Sequence, residues 1–317
     1  MPQRVLITGG SGFVGQWLSQ AMLEQGWSVF AGTVEGVPNT GGLSAKERDA
    51  ICWTPLDVLS EDSIRSAVDR STPDRVVHLA GIAFAPEANA SPIRTFEISA
   101  LGAMRLLSAL APAAGSGLRV LVVGSAEEYG AQDASAYPIG ETATLRPLTP
   151  YAVAKAAQEL IALQVFRSTG MSVVCTRSFN HSGVGHADTY LLPTLVRRVR
   201  ELPKAGGILR IGNGTVVRDY LHVADVVTAY MQLLEKGVAG EVYNVCSGQG
   251  MTVRALAERV LKRAGISADI SSDATLLRSI DVPILVGDNR KLHQATGWAP
   301  KRSIDDLIDD LIHAATR

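Results

Sequence analysis

Tyr151 and Lys155 stand four residues apart in the run Pro150-Tyr151-Ala152-Val153-Ala154-Lys155. Proline suits the first turn of a helix, and a spacing of four puts both side chains on one helical face. A phenol with a pKa of about 10 is a poor proton donor at neutral pH. An ammonium a few ångströms away favours the phenolate and is expected to lower that pKa. Lys155 can also bond a nicotinamide ribose. A third group must hold the reacting oxygen, and Ser125, just past the apolar run Arg119–Gly124, is placed to do so. The Tyr-x-x-x-Lys spacing is common by chance, so the pair gains meaning only from its company.

That company is Thr8-Gly9-Gly10-Ser11-Gly12-Phe13-Val14-Gly15, between an apolar run and a helical pattern. Gly9 permits a tight turn. Gly12, without a Cβ, lets a pyrophosphate approach the backbone, and Gly15 lets helix and strand pack closely. The loop, with Ser11, Phe13 and Val14, then offers free N–H groups at the positive end of a helix dipole. An acid at the end of the second strand usually bonds the ribose 2′-hydroxyl of NAD. Thr33 occupies that place, Glu35 follows two residues later, and no Arg stands nearby for a 2′-phosphate. NAD and NADP therefore both remain open. Asp57, in Leu56-Asp57-Val58, can accept from an adenine amino group, with a helix N-terminal charge as the alternative.

These residues need a scaffold. Short apolar runs at Arg4–Thr8, Val29–Thr33, Ile51–Thr54, Val76–Ala80, Arg119–Gly124 and Ser172–Arg177 read as strands. Helical patterns at Gly12–Gln25, Ser60–Arg70, Pro92–Ala109 and Pro150–Arg167 alternate with them. Alternation of this kind predicts an α/β fold, a doubly wound parallel sheet of Rossmann type with ligands at its C-terminal edge. After about residue 180 the rhythm changes. Helices at Tyr190–Arg200, His222–Glu235, Thr252–Ala264 and Ser303–Ala314 alternate with strands near Leu209 and Glu241–Val245. The expected division is a dinucleotide-binding unit over 1–180, with segments near 215–245 returning to it, and a smaller α/β cap over 181–317.

Composition narrows the classes. The chain has 317 residues, 46% hydrophobic, with 30 Lys plus Arg against 31 Asp plus Glu. Charge balance argues against a nucleic-acid partner, and the apolar content argues against disorder. Cys52, Cys175 and Cys246 are scattered, with no metal-ligand spacing, so reduced thiols and no metal site are expected. No apolar run approaches the ~20 residues that span a bilayer, and a cytoplasmic enzyme is expected.

The Tyr/Lys/Ser set with the glycine loop resembles the extended short-chain dehydrogenase/reductase family over essentially the whole chain. His78-Leu79-Ala80-Gly81 resembles the segment that runs beside the cofactor in that family. Ser125-Ala126-Glu127-Glu128-Tyr129-Gly130, Arg177-Ser178-Phe179-Asn180-His181 and Arg218-Asp219-Tyr220-Leu221-His222-Val223-Ala224-Asp225-Val226 resemble three further family segments. The resemblance implies cofactor contacts from Asp57, Val58, Leu79, Ala80 and Gly81, and substrate contacts from Asn180. It implies a substrate diphosphate held by Arg218 and Arg278, with Asp281 at the nucleoside ribose. One departure is Ser99, where the family usually carries Asn supporting an active-site water. Dimerisation through a four-helix bundle, built from Pro92–Ala109 and Pro150–Arg167, is implied as well.

Arg177–Gly185, Glu241–Gln249 and Val123–Gly130 look most like the GDP-mannose 4,6-dehydratase branch, and within it the GDP-6-deoxy-4-keto-hexose reductases. The implied reaction is hydride transfer from NAD(P)H to the C4 carbonyl of GDP-4-keto-6-deoxy-mannose, giving GDP-rhamnose or GDP-6-deoxy-talose. Glu127 falls where dehydratases keep the base for the C5 proton, so dehydration is the rival. The loop Ser11-Gly12-Phe13-Val14-Gly15 differs from the GQDG-type loop of those dehydratases. A C4 epimerase remains a further alternative. A non-catalytic dinucleotide sensor does too, although it has no need of the Tyr/Lys pair.

Overall fold

The computed structural model describes residues 2–38, 42–203, 206–277 and 281–314. In chain order the strands are β1 (Arg4–Thr8), β2 (Ser28–Thr33), β3 (Cys52–Pro55), β4 (Arg75–His78), β5 (Arg119–Ser125), β6 (Ser172–Ser178), β7 (Asn180–Ser182) and β8 (Ile208–Ile211). They continue as β9 (Val217–His222), β10 (Val242–Val245), β11 (Gly250–Thr252), β12 (Asp269–Ser272) and β13 (Ile284–Leu285). Seven form one sheet in the order β10-β6-β5-β4-β1-β2-β3. Every pairing in it is parallel. The expected doubly wound α/β sheet is the one the chain forms. Parallel strands buried on both faces read as continuous apolar runs, which is why they stood out in the sequence.

Two apolar layers cover the sheet. One packs Phe13–Glu24 and Val223–Lys236 on one face, through Leu18, Met22, Val226 and Tyr230. The other packs Glu61–Ser71, Gly102–Leu110 and Pro150–Thr169 on the opposite face, through Ile64, Leu106, Leu110 and Ala162. A third cluster, around Leu195, Val199, Leu256 and Leu307, lies among the later helices and is the core of the cap. The cap carries the sheet β11-β9-β13, with β7 pairing β9, and the pair β12-β8. Strand β10 pairs β6 in parallel at the edge of the large sheet, although β8 and β9 intervene in the chain.

Several boundaries differ from expectation. The fourth strand stops at His78, and Leu79-Ala80-Gly81 lies beyond it. The expected helix Pro92–Ala109 includes a π-helical segment, Glu97–Leu101, between Pro92–Phe96 and Gly102–Leu110. The extra residue of a π turn shifts register, and such turns gather at functional sites. Contrary to the expectation that no segment reaches spanning length, Pro92–Ala113 is long and apolar enough to cross a membrane by length and composition. Its apolar face, Ala103, Leu106, Leu107 and Leu110, is buried in the core instead. Short elements without a clear periodicity, such as Ala45–Ala50, Ala85–Ala90 and Arg290–Thr296, were not legible in the sequence.

Candidate active site

In a parallel sheet all strand ends point one way. Gly9 follows β1, Thr33 ends β2, Asp57 follows β3, Leu79 follows β4, Ser125 ends β5 and Asn180 follows β6. Six expected site positions thus share one edge.

The glycine loop fits a pyrophosphate. Gly9 has φ +67°, a left-handed conformation that favours glycine. A Cβ on Gly15 would come within 2.5 Å of the Gly9 carbonyl oxygen, so only glycine lets the helix sit so close to β1. Gly12 is the N-cap of helix Phe13–Glu24 and supplies no side-chain cap. The first-turn N–H groups are therefore left to a ligand or to water, which suits an anion. Around Gly12 a Cβ would meet only the Gly9 carbonyl oxygen, at 3.2 Å, leaving the approach open.

Thr33 is buried, and its hydroxyl donates within the turn, to Gly36 O at 2.9 Å or to Ser11 Oγ at 3.2 Å. Glu35 and Val34 beside it are exposed. Asp57 Oδ1 accepts from the Leu59 N–H at 2.9 Å. The Val58 side chain is buried, 2.9 Å from where a Cβ on Gly102 would lie. Thr8 Oγ1 accepts from the Ala80 N–H at 3.1 Å and bonds His78 Nδ1 at 2.8 Å, fixing the 79–81 turn.

The helix carrying Tyr151 and Lys155 spans Pro150–Thr169. Thr149 Oγ1 accepts from the Ala152 N–H at 3.2 Å and caps it, and Gly170 at φ +73° ends it. The Ser125 hydroxyl lies beside the Tyr151 phenol and favours its ionised form. Lys155 is buried, and its Nζ donates to Val123 O at 3.0 Å and to Gln158 Oε1 at 3.1 Å. Phenol and alcohol are thus neighbours at the end of β5, while the amine is held on the Val123 carbonyl of the same strand. The electrostatics differ from expectation. Burial, then the Glu127 carboxylate, push the Tyr151 phenol up rather than down. Lys155 is directed at Val123, and burial lowers its own pKa to about 8. The expected lowering of the phenol by the ammonium is absent: desolvation dominates, and the Lys155 amine is turned to Val123.

Other contacts lay beyond sequence reading. Phe13 stacks on His186 at 4.3 Å, His186 on Tyr190 at 4.0 Å, and Phe84 meets Tyr190 edge-on at 5.4 Å. This row joins the glycine-loop helix to the loops after β4 and β7. Burial pulls the pKa of His186 down to about 3, so it is neutral in the row. In the cap, Arg218 donates to Val282 O at 2.7 Å and pairs with Asp281 through Nη2. The two expected substrate contacts are thus partners of each other. Arg278 lies outside the described residues. Asn180 sits in β7 opposite Tyr220. Among the described residues no cluster of His, Cys, Asp or Glu is arranged to hold a metal.

Comparison with known proteins agrees with this geometry. The family model described as GDP-mannose 4,6 dehydratase matches residues 6–311. The GDP-6-deoxy-D-mannose reductase of Pseudomonas aeruginosa is 36% identical over 98% of this chain and 97% of its own length. The GDP-6-deoxy-D-talose 4-dehydrogenase of Aggregatibacter actinomycetemcomitans is 28% identical over 93% of this chain and 91% of its own. Among solved structures, RMD from Pseudomonas aeruginosa complexed with NADPH superposes with a TM-score of 0.81 at 33% identity, covering 98% of both chains. By motif, by site geometry and by similarity along its whole length, this chain belongs to the GDP-mannose 4,6 dehydratase family of extended short-chain dehydrogenases/reductases.

Proposed function

We propose that this protein is an NAD(P)H-dependent reductase of a nucleotide-linked 4-keto-6-deoxy-hexose. The substrate is GDP-4-keto-6-deoxy-D-mannose, and the product is GDP-D-rhamnose or its C4 epimer GDP-6-deoxy-D-talose. The observation that carries this is the juxtaposition of Ser125 and Tyr151 at the sheet edge that also bears an uncapped glycine loop.

The hydride for C4 would come from NAD(P)H bound at this edge. The loop from Gly9 to Gly15 holds the pyrophosphate through its N–H groups. Asp57 and the backbone at Val58 face the adenosine end, and Leu79, Ala80 and Gly81 line the path to the reacting edge. Ser125 holds the C4 oxygen, and Tyr151 delivers the proton that the alkoxide needs. Lys155 supplies positive charge at the ribose side. Arg218, with Asp281 keeping its guanidinium in place, faces the diphosphate, and Asn180 contacts the sugar. Both named relatives act on GDP-6-deoxy-hexoses, which supports the GDP-linked substrate.

Glu127 favours one second reading. Its carboxylate acts on the Tyr151 phenol, where a dehydratase would need a base for the C5 proton. One assay separates the two. GDP-4-keto-6-deoxy-mannose with NADPH or NADH should consume cofactor one for one. Formation of a keto sugar from GDP-mannose alone, without net cofactor use, identifies a dehydratase and removes the reductase reading.

We further propose a homodimer. The side chains of Ile93, Phe96, Leu148 and Val153 line an exposed apolar groove between Pro92–Phe96 and the catalytic helix. A second copy presenting the same two helices would cover it as a four-helix bundle. Three free thiols suit a reducing, cytoplasmic setting.

A further inference from the structure

The order of the large sheet reverses direction between β1 and β4. From β1 the chain runs outward to β2 and β3, then crosses back to β4 on the other side of β1. The loops leaving β1 and β4 therefore diverge, and the crevice between them is where such a sheet takes a dinucleotide. Phe13, in the glycine loop, opens the helix on one lip of that crevice. Phe84, the N-cap of Ala85–Ala90, stands on the other lip. Two rings from the segment after β7 span the gap between them. His186 lies on Phe13 with an interplanar angle of 8°, and Tyr190 follows on His186 at 30°. Tyr190 then meets Phe84 at 67°. A row that starts on one lip and ends on the other crosses the crevice.

The row is held firmly at one end and loosely at the other. Ser182 Oγ shares a hydrogen bond with His186 Nδ1 at 3.0 Å, and Trp17 Nε1 donates to Val184 O at 3.0 Å. A Cβ on Gly183 would come 2.6 Å from Val223 Cγ1, so this stretch is packed hard against its neighbours. Beyond it the turn loosens. Gly185 has φ +87°, and Ala187, Asp188 and Thr189 are exposed. A turn with little buried surface is the part that opens most easily. We propose that Phe13, His186, Tyr190 and Phe84 form a clasp across the cofactor crevice, and that the edge-on contact of Tyr190 with Phe84 parts each time NAD(P)H enters or leaves. Closed, the clasp ties the segment after β7 to the lip after β4. One aromatic pair suits this use: it favours the closed state without locking it.

The test needs no sugar substrate, so it stands apart from the reductase reading. Stopped-flow fluorescence with NADPH or NADH, whichever the full chain binds more tightly, gives the association and dissociation rates separately. In F84A and in Y190A both rates should rise by about two- to tenfold, the size of one aromatic pair. The dissociation constant, being their ratio, should stay within about twofold. F84A/Y190A should be no faster than either single variant, because the contact is broken only once. A dissociation rate that rises alone makes the rings part of the cofactor's binding wall and overturns the clasp. Additive effects in the double variant overturn it as well. So do unchanged or slower rates, including those of a variant that melts lower but exchanges cofactor like wild type. Should F84A fail to fold, F84L keeps apolar bulk without the ring and must show the same joint rise in both rates.

Discussion

The Ser125 hydroxyl lies beside the Tyr151 phenol at the end of β5 and favours its ionised form. A substrate oxygen entering there can accept a hydrogen bond from each residue. That arrangement stabilises negative charge where it appears during hydride addition. Y151F should lower kcat by about 10²–10⁴-fold, the usual range for losing a general acid, while the NADPH dissociation constant stays within about threefold. S125A should lower kcat by about 10²-fold. Stopped-flow absorbance of NADPH and equilibrium fluorescence measure the two quantities. Retention of wild-type turnover by Y151F would remove Tyr151 from the mechanism.

Lys155 has its pKa lowered by burial from an ordinary 10.5 to about 8. It is therefore charged below about pH 8 and neutral above. Turnover should be highest on the acid side of this value and fall as pH rises through it. Stability moves the other way. Between about 8 and 10.5 the unfolded chain keeps the proton and the folded one does not, so folding gains relative to a variant without the amine. K155M should lose at least about 10²-fold in kcat yet melt no lower than wild type at pH 7. Wild type should regain ground over K155M as pH rises toward 10. Parallel thermal melts at three pH values test this sign.

Gly15 carries the closest approach of helix to loop, with a Cβ position 2.5 Å from Gly9 O and 2.7 Å from Gly10 Cα. These are backbone atoms and cannot swing aside. G15A should cost about 1–3 kcal/mol of stability and weaken NADPH binding more than tenfold, by about that energy again. Calorimetric titration that finds unaltered affinity would show that the phosphate loop is not where we place it.

Arg218 and Asp281 form a half-buried pair in the cap. If Arg218 faces the diphosphate, R218Q should raise KM for the nucleotide sugar by more than about tenfold, with NADPH affinity unchanged. D281N should raise it less, since it loosens the guanidinium without removing it. A pair that only braces the cap would lower the melting temperature of both variants and leave KM alone.

The exposed groove gives a prediction about assembly. I93E combined with V153E places charge on both helices that line it. A dimer held there should become monomeric by light scattering while the free monomer remains folded. A monomeric wild type would dispose of the four-helix bundle.

Much of this protein is visible in its linear order because its signals are local. The glycine spacing at 9, 12 and 15 and the alternation of apolar runs with helical faces sit within short windows. So does the Tyr151–Lys155 spacing, and each depends on backbone geometry that neighbours set. What came only with the fold depends on desolvation and on partners distant in sequence. No spacing rule announces that Thr33 turns its hydroxyl to its own loop, or that the Val58 side chain packs against Gly102. The pairing of Arg218 with Asp281, 63 residues away, is equally hidden. The direction of the Tyr151 shift is the clearest case. Spacing alone brings a cation near a phenol and implies a lower pKa. Packing around the end of β5 strips away the water that would have stabilised the phenolate, sends Lys155 to Val123, and reverses the sign.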